Sequence, residues 1–137
     1  MPNMTLFDQL LRSAAAQPEP QRLLFVFTIA ELPDDATPTQ RERFAEGGGG
    51  ALTPLICVDK GLDELSSFEA LAAESRLAGP PWQVLFAAGL PGRDGRPPSP
   101  EQVEQALQAM VERIRSGSIG GFLALDPSGE AVHFDFE

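Results

Sequence analysis

A single cysteine, a single histidine and no tyrosine stand in a chain of 137 residues. One cysteine excludes an internal disulfide and fits a reducing compartment. One cysteine with one histidine is too small a supply for a zinc site, which takes three or four such ligands, and the acids show no EF-hand spacing. No metal and no cofactor is therefore expected. Basic residues are scarce too: 10 Lys plus Arg, with Lys60 the only lysine, face 20 Asp plus Glu, for a formal charge of −10. Acids outnumber bases in every third of the chain. No basic stripe exists to release counterions from a nucleic acid or to hold an anionic membrane surface. No apolar run reaches the roughly 18 residues of a membrane span, and the N-terminus has neither the basic n-region nor the apolar core of a signal peptide. These absences predict a cytoplasmic protein that binds neither nucleic acid nor membrane.

What is present is a globular composition. Hydrophobic residues at 42% and charged residues at 22% are near the averages for folded domains. The length suits one domain, residues 1–137, with enough chain to bury a core unaided. Thirteen glycines and thirteen prolines punctuate the chain.

Thr5, with Asp8 three residues on, reads as a capping-box variant, and Leu6, Phe7, Leu10, Leu11 and Ala14 then share one helical stripe. Arg22 to Ala30 is apolar almost throughout and reads as a strand covered on both faces. Thr37 and Pro38 read as N-cap and first residue of a short helix to about Ala45. Residues 52–58 form a second strand with Pro54 near its start. Asp63 is a cap for a helix to about Ala78, and Trp82 to Ala88 is a third strand. Ser99 and Pro100 open the clearest helix. Val103, Ala106, Leu107, Met110, Val111 and Ile114 form its apolar stripe, and Gly117 is its C-cap. The tail reads as a hairpin: Phe122 to Leu125, a turn at Asp126-Pro127-Ser128-Gly129, then Ala131 to Phe136, with Val132, Phe134 and Phe136 on one side.

The order α-β-α-β-α-β-α-β-β predicts an α/β fold with a mixed sheet of about five strands and helices packed on it. Strands separated by helices imply parallel, right-handed crossovers. The C-terminal hairpin then supplies the antiparallel member.

Most chemistry-bearing residues have a plain structural reading. Cys57 lies between Ile56 and Val58 in an apolar strand, so it is expected to be buried and inert. His133, two residues before Asp135, shares a strand face with it, but no GxSxG elbow supplies a nucleophile. Gly47 to Gly50 follows a helix, enters a strand and has no lysine, unlike a phosphate loop; it reads as a connector. Residues 89–98 are different. This loop follows a strand, carries Arg93 and Arg96, and feeds the helix capped by Ser99. Two arginines beside a helix start are the parts of an anion site. If the strands are parallel, Asp59 and Lys60 share that rim with Glu31, Asp34 and Asp35. Asp59, Lys60, Arg93, Arg96 and Ser99 are thus the candidate ligand-binding residues, and no catalytic residue emerges.

The stretches QPEPQRLLFVF, ELPDDATP, GGALTPLICVDK and SIGGF resemble a family of small uncharacterised bacterial proteins, over most of the chain from about Phe7 to Phe134. Some members carry the label "ribonucleotide reductase subunit alpha". Reductase chemistry needs a radical-bearing cysteine and a redox-active cysteine pair, and Cys57 alone supplies neither. The resemblance implies an accessory role in nucleotide metabolism and no transferable site residue. Three readings follow: a non-catalytic binding or protein-interaction module with a protein partner; a small anion-binding enzyme or ligand sensor working at the loop rim; and that accessory subunit.

Overall fold

The computed structural model of the chain describes residues 5–31, 37–45 and 51–132. Its elements are α1 (Leu6–Ala15), β1 (Gln21–Glu31), α2 (Pro38–Ala45), β2 (Ala51–Gly61), a 3-10 turn (Leu62–Glu64), α3 (Phe68–Ala78), β3 (Val84–Pro91), α4 (Pro100–Ser116) and β4 (Leu123–Leu125). The helix ends obey local chemistry. Thr5 Oγ1 accepts from the Asp8 N–H at 3.0 Å, and the Thr5 N–H donates to the Asp8 carboxylate at 3.2 Å. Gly117 ends α4 in the left-handed region at φ 84°, where a side chain is disfavoured.

The described strands form one sheet in the order β2-β1-β3-β4, antiparallel at every junction. This corrects the expectation of parallel crossovers. Glu31 at the end of β1 stands opposite Ala51 at the start of β2. Residues 32–50 therefore bring the chain back to the end of the sheet it left, which is what an antiparallel neighbour requires. A parallel neighbour would have needed a return along the full strand, about 35 Å for eleven residues. The link through α3 does join strands running the same way, because β2 and β3 both oppose β1, with β1 between them.

Four strands are described rather than about five. The second arm of the terminal hairpin is a single bridge, Leu125 to Ala131. The turn itself lies where the sequence places it: the Gly129 N–H donates to the Asp126 carbonyl at 2.9 Å, and the Asp126 N–H to the Glu130 carbonyl at 2.8 Å. Residues 133–137, with His133, Phe134, Asp135 and Phe136, lie outside the described residues, as do Asp34, Asp35 and Gly47 to Gly50.

Two apolar clusters sandwich the sheet. Leu23, Phe25, Phe27, Leu85 and Ala87 pack against Phe7 of α1 and Phe68, Leu71 and Ala72 of α3. Leu24, Val26, Val84, Phe86 and Ala124 pack against Val103, Met110 and Ile114 of α4. β1 is covered on both faces, as its continuous apolarity predicts. The β1–β2 register slips between Phe27 and Thr28, which leaves Leu55 without a partner beside Pro54. Proline lacks the N–H that the ladder needs, so a bulge there is the local remedy.

Two boundaries also differ from expectation. Asp63 belongs to the 3-10 turn, and α3 begins later, where the Ser67 side chain accepts from the Ala70 N–H at 3.1 Å. Trp82 precedes β3. Its ring meets Phe27 edge-on at 5.0 Å, and its Nε1–H donates to Ser75 Oγ at 2.7 Å. Ser75 Oγ in turn donates to the Ala72 carbonyl at 2.6 Å, so this small polar chain is satisfied inside the core.

Candidate functional site: the groove between α4 and β2

The five residues singled out from sequence do share one end of the sheet. Arg22, near the start of β1, faces Gly61 of β2 on one side and Leu90 of β3 on the other. The loop carrying Arg93 and Arg96 therefore leaves the sheet at the end where Asp59 and Lys60 stand. The cause is the shared direction of two strands flanking β1, not a parallel sheet.

The pleat then separates them. Asp59 and Lys60 are strand residues, not loop residues, and successive side chains point to opposite faces. Asp59 lies on the α4 side, where its carboxylate accepts from Arg22 Nε; Arg22 Nη1 also reaches Glu64 at 3.3 Å. The bond to Asp59 is the main cause that holds the Arg22 pKa above its ordinary value. Lys60 lies on the other face, paired with Glu74 of α3 at 2.8 Å, and this contact raises its pKa. Asp59 and Lys60 are thus engaged by separate partners.

Arg93, Arg96 and Ser99 do come together. The loop after β3 is a miniature hairpin. Arg93 and Arg96 exchange backbone hydrogen bonds of 2.9 and 3.0 Å across Asp94-Gly95, whose φ values are 55° and 75°. Two positive φ angles make a type I′ turn, for which Asp-Gly is a favoured pair. Gly92 makes the turn closable: a Cβ there would lie 1.8 Å from the Arg96 carbonyl oxygen. Beyond it, Ser99 caps α4. Its hydroxyl accepts from the Gln102 N–H at 3.2 Å, and its own N–H donates to the Gln102 side chain at 2.9 Å. This reciprocal box already satisfies two of the donors that an incoming anion would use. The three residues line a shallow pocket of about 450 Å³ with Asp94, Pro97 and Gln102. Asp59 and Lys60 are not part of it.

A second concavity, about 900 Å³, opens between α4 and the outer strand β2. Val103, Leu107 and Val111 form an apolar row on one wall, with Arg115 next in the row. These positions are four apart, so they make one ridge along the helix. The adjacent row, Glu104, Gln108 and Glu112, carries the polar rim. Cys57, Asp59 and Arg22 line the sheet side, and Pro97, Pro98 and Pro100 close one end. Val103 is buried, while Leu107 and Val111 are only half-buried. Glu104 and Glu112 are exposed and make no ion pair or side-chain hydrogen bond among the described residues.

Cys57 corrects the sequence reading. It is exposed, not buried. It stands opposite Val26, which is fully buried in β1, but β2 is the outermost of the described strands and its α4-facing side borders the open groove. Partial burial still pushes the thiol pKa up, against a smaller opposing pull from the Arg115 guanidinium. The thiol is therefore accessible without being activated.

The groove residues escaped the sequence reading for an identifiable reason. The α4 stripe reads as one core face, and Leu107 and Val111 do pack against the cluster that holds Met110 and Ile114, but they are only half-buried and their remaining surface lines the groove. The stripe itself carries no signal of this, because its i, i+3, i+4, i+7, i+8 pattern is the ordinary one for a helix packed on a core. No three His, Cys, Asp or Glu side chains gather as a metal set among the described residues, and none of the described helices is long and apolar enough to cross a membrane. No family model, curated protein or solved structure matches this chain.

Proposed function

We propose that the protein is a cytoplasmic interaction module that works without catalysis, and that the groove between α4 and β2 is its binding surface. The observation that carries this reading is the half-buried apolar row on a concave wall, rimmed by exposed charges. Concave, mainly apolar surfaces with a few fixed polar groups are where ligands and partner segments gain most from leaving water. A role as an accessory subunit in nucleotide metabolism is the more particular form that the family resemblance adds.

The pocket at Arg93, Arg96 and Ser99 supports a second reading, a small-anion site. It is favoured by one observation: neither arginine makes an ion pair among the described residues.

Cys57 provides the test. A library of small molecules and short peptides is screened by melting temperature, and each hit is then assayed for its effect on Cys57 alkylation. Groove ligands slow alkylation and lose affinity for Leu107→Glu. Hits that leave the alkylation rate unchanged refute the groove. Among those, hits whose affinity falls on Arg93→Ala plus Arg96→Ala assign function to the anion pocket instead.

A further inference from the structure

We infer that the segment the groove receives is an amphipathic helix of about three turns, supplied by a partner protein and carrying Lys or Arg at both ends of its apolar stripe. This rests on the groove being the binding surface. Three features of the groove point to this occupant.

The first is the wall. The rows 103-107-111-115 and 104-108-112 are parallel i±4 ridges on α4. The channel between two such ridges accepts the i±3 ridge of a second helix, which then lies nearly alongside at about 20°. The second is size. From Val103 to Arg115 the wall is about 18 Å long at 1.5 Å per residue, which is about three turns of helix. The sunken half of such a helix, taken as a half-cylinder about 10 Å across, fills on the order of 700 Å³. The groove offers about 900 Å³.

The third feature is charge. Glu104 and Glu112 flank the apolar pair Leu107 and Val111, and both carboxylates are exposed with no cation paired to them among the described residues. Arg22 does not offset them, because Asp59 and Glu64 already engage it. Arg115 is the remaining cation and stands at one end only. Eight residues of helix place Glu104 and Glu112 about 12 Å apart along the α4 axis. A helix lying alongside meets both with basic residues seven or eight positions apart. An extended strand, rising about 3.3 Å per residue, would need them about four apart. The charge of −10 on the whole chain speeds the approach of a cationic segment and opposes a second copy of this chain.

The experiment is a selection from displayed 16-residue peptides of random sequence on the intact protein. Enriched peptides are then measured against wild type, Leu107→Glu and the double variant Glu104→Lys, Glu112→Lys. Because both glutamates are exposed, the double variant retains the wild-type fold, checked by circular dichroism and melting. The expected peptides show apolar residues at i, i+3 or i+4 and i+7, with Lys or Arg seven or eight apart. They become helical on binding, protect Cys57 from alkylation and weaken with added salt. Charge reversal at both rim carboxylates lowers their affinity about tenfold or more. Peptides that protect Cys57 yet bind as extended chains, or bind the double variant equally well, overturn the inference and leave the groove reading standing. Protection of Cys57 by self-association, seen as a concentration-dependent dimer in sedimentation, also overturns it. A selection in which no peptide protects Cys57 overturns the groove as a peptide site altogether.

Discussion

Replacing Ser75 by alanine tests whether the hydrogen bond inside the core matters as the geometry demands. Ser75 and Trp82 are 4% and 6% exposed, so water cannot replace a partner that is lost. The Ser75 hydroxyl accepts from Trp82 Nε1 at 2.7 Å and donates to the Ala72 carbonyl at 2.6 Å. Alanine leaves the indole N–H buried without an acceptor, which costs about 1–3 kcal/mol. For a chain of this size each kcal/mol lowers the melting temperature by roughly 3–5 °C, so a fall of about 3–15 °C is expected. Trp82 is the only tryptophan, so its fluorescence reports unfolding at the site of the change. A thermodynamic cycle sharpens the reasoning. In a Trp82→Phe background, followed by circular dichroism because no tryptophan is left, no indole N–H remains to be orphaned, and Ser75→Ala then costs about 1 kcal/mol less than in wild type. Equal costs in the two backgrounds would refute the account, because the penalty would then come from Ser75 alone.

Three further expectations follow from other parts of the molecule. Cys57 is alkylated completely in the native state, more slowly than a free thiol at neutral pH, with a rate that climbs on raising the pH because its pKa lies above the ordinary value; labelling that requires denaturant contradicts its exposure. Gly92→Ala drives a Cβ to within 1.8 Å of the Arg96 carbonyl, so the turn must shift at a cost of about 1–3 kcal/mol, read by chemical denaturation; a neutral outcome rejects the hairpin geometry. Asp126 has its pKa lowered chiefly by the Ser128 hydroxyl bond and also by the Ser128, Gly129 and Glu130 N–H groups. Its ionised form therefore adds stability above the unfolded value of about 4 that is lost as pH falls through the lower folded value; Asp126→Ala is less stable than wild type at pH 7, and the gap narrows on acidification.

The legible part of the fold is the part decided within a few residues. Thr5 with Asp8, Ser99 at the start of α4 and Gly117 at its end act over three or four positions, and each lies where its residue type predicts. The turn at Asp126 to Gly129 is legible for the same reason. Strand pairing is not local. Nothing near Arg22 or Leu52 specifies that Glu31 will face Ala51, and that single fact decides between parallel and antiparallel neighbours. The apolar run of 52–58 reads equally as a central strand or as an outer one, since the face toward α1 and α3 packs Ile56 and Val58, half-buried, against the core in either case. Cys57 was misplaced by this ambiguity alone. A cysteine between two apolar residues is buried when neighbours lie on both sides, and exposed when the sheet ends there.

The position of β2 also explains why the candidate site moved from the loop rim to the groove. In a parallel sheet the strand ends collect free backbone groups and loop side chains, and a rim of Asp59, Lys60, Arg93 and Arg96 would face a ligand together. In this antiparallel sheet Asp59 and Lys60 fall within a strand, so the pleat sends them to opposite faces, where Arg22 and Glu74 engage them. What an outer strand leaves open is instead its own flank. β1 is sealed by neighbours on both sides and by helices on both faces, whereas β2 has a neighbour on one side only among the described strands. α4 reaches it with Leu107 and Val111 only half-covered, and the surface left between helix and strand has an apolar row on the α4 wall, with Cys57 and the Arg22–Asp59 pair on the sheet side. The proposed partner helix would meet the apolar row of α4 on one wall and charged groups on the rim and the sheet side.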